Sequence, residues 1–253
     1  LYTFRSLVAD EWRKGRVLLA GDAAHLMPPF MGQGMCAGLR DVWNLTWKLD
    51  RVLRGTAEDS LLDTYMPERR PHVTEVIQQS MFLGSIICIP DPAAAAGRDA
   101  MFLGGEAPPP APFPQLTAGM LAHGADGALL PLAGELAPHG TVRHQRRTDR
   151  FDALVPPGFV LIADRTMAGA LPLADLAALG VRVVPMADRI SATDAEFADT
   201  SVQFLPWMAV RGVHAVLVRP DFFVFGAAAD AAGLDDVLGA LAAAQAAHGL
   251  RAA

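Results

Sequence analysis

The residues of this chain best suited to chemistry fall within one short window: Gly21 and Asp22, the pair Pro28-Pro29, and the run Gly32-Gln33-Gly34-Met35-Cys36. Residues 17–20, Val-Leu-Leu-Ala, form a short apolar run bounded by charge and glycine, the pattern of a strand buried on both faces of a parallel sheet. Gly21 allows a tight turn and sets Asp22 at the strand's carboxyl end, where ligands of open α/β sheets sit. A carboxylate there can accept hydrogen bonds from sugar-like hydroxyls. Pro28 and Pro29 stiffen the next turn and remove two backbone donors. Gly32 and Gly34 permit close approach to a flat ligand and open a helix whose first amides have no partner within it.

The elements that must position these residues follow in the sequence. From Met35, apolar residues recur at helical spacing through Leu39, Val42, Leu45, Leu49, Val52 and Leu53, and Gly55 is a natural stop. The positive end of that helix would face the crevice, where it could stabilise negative charge at the pyrimidine edge of a reduced isoalloxazine ring by roughly 0.3 to 2 kcal/mol. Singly, each piece reads equally well as an ordinary strand, loop and helix with Asp22 as a local cap. Their combination and order are specific.

Gly21-Asp22-Ala23-Ala24-His25, Pro28-Pro29, Gly32-Gln33-Gly34 and residues 41–49 resemble the second flavin motif of the FAD-dependent aromatic hydroxylases related to para-hydroxybenzoate hydroxylase. The form Pro-Pro-Phe-Met-Gly-Gln-Gly-Met-Cys most resembles the 3-(3-hydroxyphenyl)propionate hydroxylases. The resemblance implies the C-terminal part of a doubly wound FAD-binding domain, with FAD as cofactor and NADPH or NADH as co-substrate. It also implies oxygen transfer to a small phenolic substrate. By position it assigns Asp22 to the ribityl chain, with Gly21 and Gly32 shaping the turns. It sets Pro29 beside the ring where oxygen reacts, as the candidate catalytic position, and offers the amides of Gly34, Met35 and Cys36 to the pyrimidine edge. Several family members carry Asn at position 36 and Gly at 31, departures that a backbone contact tolerates. Asn44 matches a helix Asn with a structural role. The rival readings are another FAD oxidoreductase of this architecture and a non-enzymatic fragment acting in folding or subunit contact.

The family's opening Gly-x-Gly-x-x-Gly, which receives the pyrophosphate at a helix N-terminus, has no counterpart near Leu1. Leu1-Tyr2-Thr3-Phe4-Arg5 reads instead as the last strand of something upstream. The chain is therefore expected to be the C-terminal half of a longer hydroxylase, binding FAD poorly without its N-terminal half. The strand at 17–20 should then be poorly paired.

The formal charge of −6 leaves no basic footprint for nucleic acid. The hydrophobic content of 52% is inflated by alanine, and no uninterrupted apolar segment reaches the roughly 18 residues of a membrane span. Cys36 and Cys88 make neither a disulfide framework nor a metal site. These features suggest a cytoplasmic enzyme, with a homo-oligomer left open.

Three segments are expected: residues 1–89 as the FAD-binding part, 90–140 as a Pro/Ala-rich linker and irregular stretch, and 141–253 as a thioredoxin-like α/β domain lacking Cys-x-x-Cys. In the first, Ser60 to Asp63 resembles a helix start, and Pro67 and Pro71 predict a break with a new helix from Pro71. Its packed face would hold Val73, Val76, Ile77, Ser80, Met81, Gly84 and Ile87. The pair Arg69-Arg70, in a form the family also carries, reads as structural, and His25 as packed behind its loop. Met27 and Met31 are the methionines with a chance of facing ligand. Ala93 to Ala96 and Pro108-Pro109-Pro110 suit a linker. In the last segment, strands are expected at 159–163, 181–184, 213–218 and 222–225, the last two as an antiparallel hairpin turned by Arg219-Pro220-Asp221. Helices are expected at 173–179 and 234–247. His139, His144 and Arg146-Arg147 read as a solvated basic loop.

Overall fold

A computed structural model describes residues 3–107, 109 and 111–252, so Leu1 and Tyr2 of the expected opening strand and two prolines of the triple-proline linker lie outside the described residues. The chain divides into two compact units, Leu1–Trp43 with Met66–Gln115, and Asn44–Tyr65 with Leu116–Ala253.

The first unit contains two short antiparallel ribbons. β1 (Leu7–Val8) pairs with β4 (His25–Leu26), and β2 (Arg13–Lys14) pairs with β3 (Val17–Leu18). The expected buried parallel strand at 17–20 is thus corrected. It is ordered as a strand only over two residues, it runs antiparallel to the segment just before it, and Val17 is 65% exposed. Its partner is its own chain, turned back through Gly15 at φ +58°, and so close a reversal permits only an antiparallel pair. Among the described residues the other edge of β3 carries no strand.

Two helices frame these ribbons. α1 (Gly34–Leu53) begins at the expected glycine and stops before Gly55, which is left-handed at φ +68°. Its faces differ from expectation. Ala37, Asp41, Asn44 and Lys48 are buried, whereas Leu39, Val42 and Leu53 are exposed. α2 (Tyr65–Ile87) runs unbroken through Pro71, correcting the expected break. Pro67 lies in the first turn, where amides have no helical acceptor, so Pro71 alone removes an internal bond and the helix continues. Val73, Val76, Ile77, Ser80 and Gly84 are buried along it, but Met81 and Ile87 are about half exposed, at 51% and 54%. The helix start expected at Ser60 is a 3-10 segment, Asp59–Thr64. The stretch expected as a linker also holds a helix, α3 (Pro92–Leu103), capped by the Asp91 carboxylate accepting from the Ala94 amide; none of its residues is buried.

The second unit is built on one seven-stranded sheet. Its elements are β5 (Thr141–His144), β6 (Arg147–Arg150), α4 (Phe151–Leu154), β7 (Phe159–Ala163), α5 (Arg165–Ala168), α6 (Leu173–Ala178), β8 (Val181–Asp188), β9 (Phe197–Asp199), α7 (Phe204–Val210), β10 (Ala215–Val218), β11 (Val224–Ala228) and α8 (Ala231–Ala247). The strand order is β11-β10-β7-β8-β9-β5-β6, with β7, β8 and β9 parallel and the rest antiparallel. The β-α-β then β-β-α succession is present, including the hairpin of β10 and β11. Alternate residues divide between two faces. Phe159, Leu161 and Ala163 pack with Leu234, Val237 and Leu241 of α8, while Val160 and Ile162 pack with Phe204 and Met208 of α7. Near-continuous apolar strands follow from that double cover.

The expected basic loop is corrected to the hairpin of β5 and β6, turned at Gln145 with φ 53°. α7 carries no N-cap hydrogen bond from Gln203; the Asp199 carboxylate accepts from the Phe204 and Leu205 amides instead. Residues 116–137 run as irregular chain along β11, with Ala122 donating to the Phe225 carbonyl and Val224 to that of Glu135. Among the described residues no single helix is long and apolar enough to cross a membrane.

Candidate functional site

The glycine and proline turns of the first unit enclose an open groove of about 720 Å³. Asp22, Pro29, Gly32, Gly34 and Met35 line it, together with Thr3, Phe4, Arg5, Leu26, Met27 and Pro28. Five of the seven residues singled out for a flavin thus share one surface. Gly21 and Cys36 lie beside it in sequence but are not among its lining, and neither is Met31. Phe4 and Arg5 were missed, since nothing in their spacing marks them.

Each wall has a local cause. Gly21–Ala23 forms a 3-10 turn in which Gly21 has φ +58°, and it leaves Asp22 exposed in the groove. Pro29–Met31 forms a second 3-10 turn, closed by Gly32 in the left-handed region at φ +63°. This turn is anchored from α2. The Ser80 hydroxyl donates to the Pro28 carbonyl at 2.8 Å, and Gly84 makes room for the Phe30 ring, which a Cβ there would meet at 2.3 Å. α1 then opens at Gly34. The Ala37 amide donates to the Gln33 carbonyl at 2.8 Å, so the amides of Gly34, Met35 and Cys36 have no acceptor within the helix.

A buried ionic cluster lies behind the groove. Asp41, wholly buried on α1, accepts from the Gly21 amide at 3.0 Å and from His25 Nε2 at 2.5 Å through Oδ2, and from Arg69 Nε at 2.9 Å through Oδ1. Burial alone would raise its carboxyl pKa. The His25 hydrogen bond and the Arg69 charge outweigh that and hold it below the usual range. His25 is 2% exposed and stacks obliquely near Trp12, at 5.6 Å between ring centres, so it is packed behind the loop. Arg69 is structural as expected, and Arg70 is a half-exposed residue 3.7 Å from Asp10. His72, buried on the next turn of α2, is pushed down to about 3 by burial and by the charges of Arg69 and Arg40. It is neutral at neutral pH.

The groove's residues suit a flavin on their own chemistry. They offer an exposed carboxylate for a hydroxylated chain, apolar Met27, Pro29 and Met35 for a planar ring, and free amides at a helix start for an electron-rich edge. Comparison with known proteins agrees. Residues 1–80 match the model of the FAD binding domain, and residues 134–244 match that of the HcaD C-terminal domain. A probable NADH-specific resorcinol 4-hydroxylase of Rhodococcus jostii (strain RHA1) is 39% identical over 92% of this chain and 44% of its own length. A 3-(3-hydroxy-phenyl)propionate/3-hydroxycinnamic acid hydroxylase of Mycolicibacterium smegmatis is 51% identical over 41% of this chain and 18% of its own. Among solved structures, aklavinone-11 hydroxylase in a ternary complex with FAD and aklavinone matches with a TM-score of 0.63 and 27% identity, over 93% of this chain and 45% of that one.

Over most of its length the chain is similar to FAD-dependent aromatic hydroxylases. It spans 44% of the length of the resorcinol hydroxylase relative. Within the hydroxylase family pattern, Asn44 has the structural place expected of it: its amide donates to Asp221 Oδ2 at 2.8 Å and its carbonyl accepts from Lys48 at 2.9 Å. Arg219 and Asp221 turn the hairpin and also form a fully buried pair at 2.6 Å.

Proposed function

We propose that this chain supplies the ring-facing side of the flavin site in a cytoplasmic aromatic hydroxylase, within a polypeptide about twice its length. The relatives' greater length supports that extent, with the upstream half binding the adenosine end. In chain order the proposed parts are 1–89 for the FAD-binding portion, 90–140 for the connecting stretch and 141–253 for the thioredoxin-like domain. The observation that carries the reading is the groove in which Asp22, Pro29 and the Gly32–Met35 backbone converge.

FAD, reduced by NADH or NADPH, would supply oxygen activation and transfer of one oxygen atom to the phenol. The chain's own residues have narrower tasks. Asp22 accepts hydrogen bonds from the ribityl hydroxyls; the amides of Gly34, Met35 and Cys36 stabilise charge at the pyrimidine edge; Pro29, with Gly21 and Gly32 shaping the turns, keeps one face of the ring in an apolar, donor-poor wall. For substrate, the two named relatives point to one class. Resorcinol and 3-(3-hydroxyphenyl)propionate are both phenols with a second substituent meta to the hydroxyl.

In the full-length polypeptide, Asp22→Ala should weaken FAD binding about tenfold or more, the value of a charged hydrogen bond. Either meta-substituted phenol should gain one oxygen atom as NADH or NADPH is consumed. Colourless protein after FAD addition, or nicotinamide oxidation that puts no oxygen into either phenol, would reject the reading.

A further inference from the structure

Asp22 cannot place itself. It sits exposed on a turn whose residues Gly21–Ala23 include no buried side chain, and whose cap position, Ala20, supplies no side-chain hydrogen bond. What fixes this turn comes from α1. Gly38 lies against it so closely that a Cβ there would stand 3.3 Å from the Gly21 Cα. One turn further along the same face, Asp41 Oδ2 accepts both the Gly21 amide and His25 Nε2, the residues that bracket Asp22. The other carboxylate oxygen is held by Arg69 of α2, and all three side chains are at most 2% exposed.

We propose that Asp41 is the positioning residue of the flavin site, locking the Asp22 turn to the helix whose first amides form the opposite wall. The inference rests on the flavin reading for its ligand, but not for its mechanics. One carboxylate ties together three parts of the groove: the start of the turn through Gly21, its end through His25, and the register of α1 that carries Gly34 to Cys36. Arg69 keeps that carboxylate charged and facing the turn. Asp41 does not line the groove itself, so it acts through Gly21 and His25.

The test uses the full-length polypeptide with FAD as probe and amide hydrogen exchange at Gly21 as a ligand-free readout. Asp41→Asn keeps the volume and removes the charge. It should speed exchange at Gly21 and weaken FAD binding, each by about tenfold, as loss of a charge-assisted hydrogen bond implies. Val76→Ala, a core truncation in the same unit, serves as a control matched for loss of thermal midpoint; it should leave both readouts within twofold of native. His25→Phe, which removes the second bond to the same oxygen, is the fallback if Asp41→Asn does not fold, and should show the same pair of changes more weakly. Unchanged Gly21 exchange in a folded variant, or equal effects in Val76→Ala, overturns the proposal. Should native protein take up no FAD, the flavin reading fails, while exchange at Gly21 still decides whether Asp41 holds the turn.

Discussion

Two carboxylates nineteen positions apart divide the labour of this site, and their surroundings decide which does what. Asp22 is exposed in the groove; Asp41 is buried and ionised by His25 and Arg69. Sequence reading finds the first because its neighbours are glycine and strand-like residues. It cannot single out the second, whose partners lie 16 and 28 residues away. His72 gives a test of the same electrostatics. Its pKa is depressed from the usual 6.5 to about 3, so the unfolded chain takes up this proton first and stability falls as pH drops through that interval. The slope approaches about 1.4 kcal/mol per pH unit. Urea unfolding at pH 7 and pH 5 should therefore show native protein losing about 2 kcal/mol more than His72→Gln over that step. Parallel pH profiles would mean that the imidazole is as easily protonated in the fold as outside it.

Elements were legible where their pattern is local, and misread where a tertiary partner overrides it. The limits of α1 follow from Gly34 and Gly55, and β7 from an uninterrupted apolar run. The inward face of α1 was not legible, because Asp41, Asn44 and Lys48 look like a solvated stripe until their hydrogen-bond partners are known. Likewise β5 and β6 hide in a stretch rich in Arg and His, since their pairing depends on backbone bonds and on β9. Gly84 shows an element acting on the site. Gly84→Ala would place a Cβ 2.3 Å from the Phe30 ring and force that ring off the α2 face. The expected cost is about 1–3 kcal/mol, the range for overpacking. In a Phe30→Ala background the same substitution should cost little, and a double-mutant cycle by thermal unfolding reads the difference. Equal costs in both backgrounds would place the strain elsewhere.

At the scale of the whole chain, a long-range constraint is again a buried charge, and it ties residues 177 positions apart within the second unit. Asn44 of α1, which accepts from Lys48, donates to Asp221 in the turn between β10 and β11, where Arg219 donates to Asp221 through Nε at 3.0 Å and Nη2 at 2.6 Å and to the Met120 carbonyl through Nη1 at 2.8 Å. The guanidinium also lies 5.9 Å from the Trp47 ring centre. The sequence shows only a likeness to a short hairpin turn at 219–221, because its partner in α1 is 177 residues away. Such a network is costly to half-dismantle and cheap to replace as a whole. Asp221→Ala should destabilise the second unit by about 3–5 kcal/mol, since Arg219 cannot reach water once its carboxylate is gone. Adding Arg219→Met to that variant should recover much of the loss, because an apolar side chain of similar length needs no counter-charge. Chemical denaturation at fixed pH, with the midpoint read at constant m-value, separates the cases. A single variant that loses less than about 1 kcal/mol, or a double variant no better than the single, would show that packing around the β10–β11 turn, rather than its buried ion pair, holds this part of the chain.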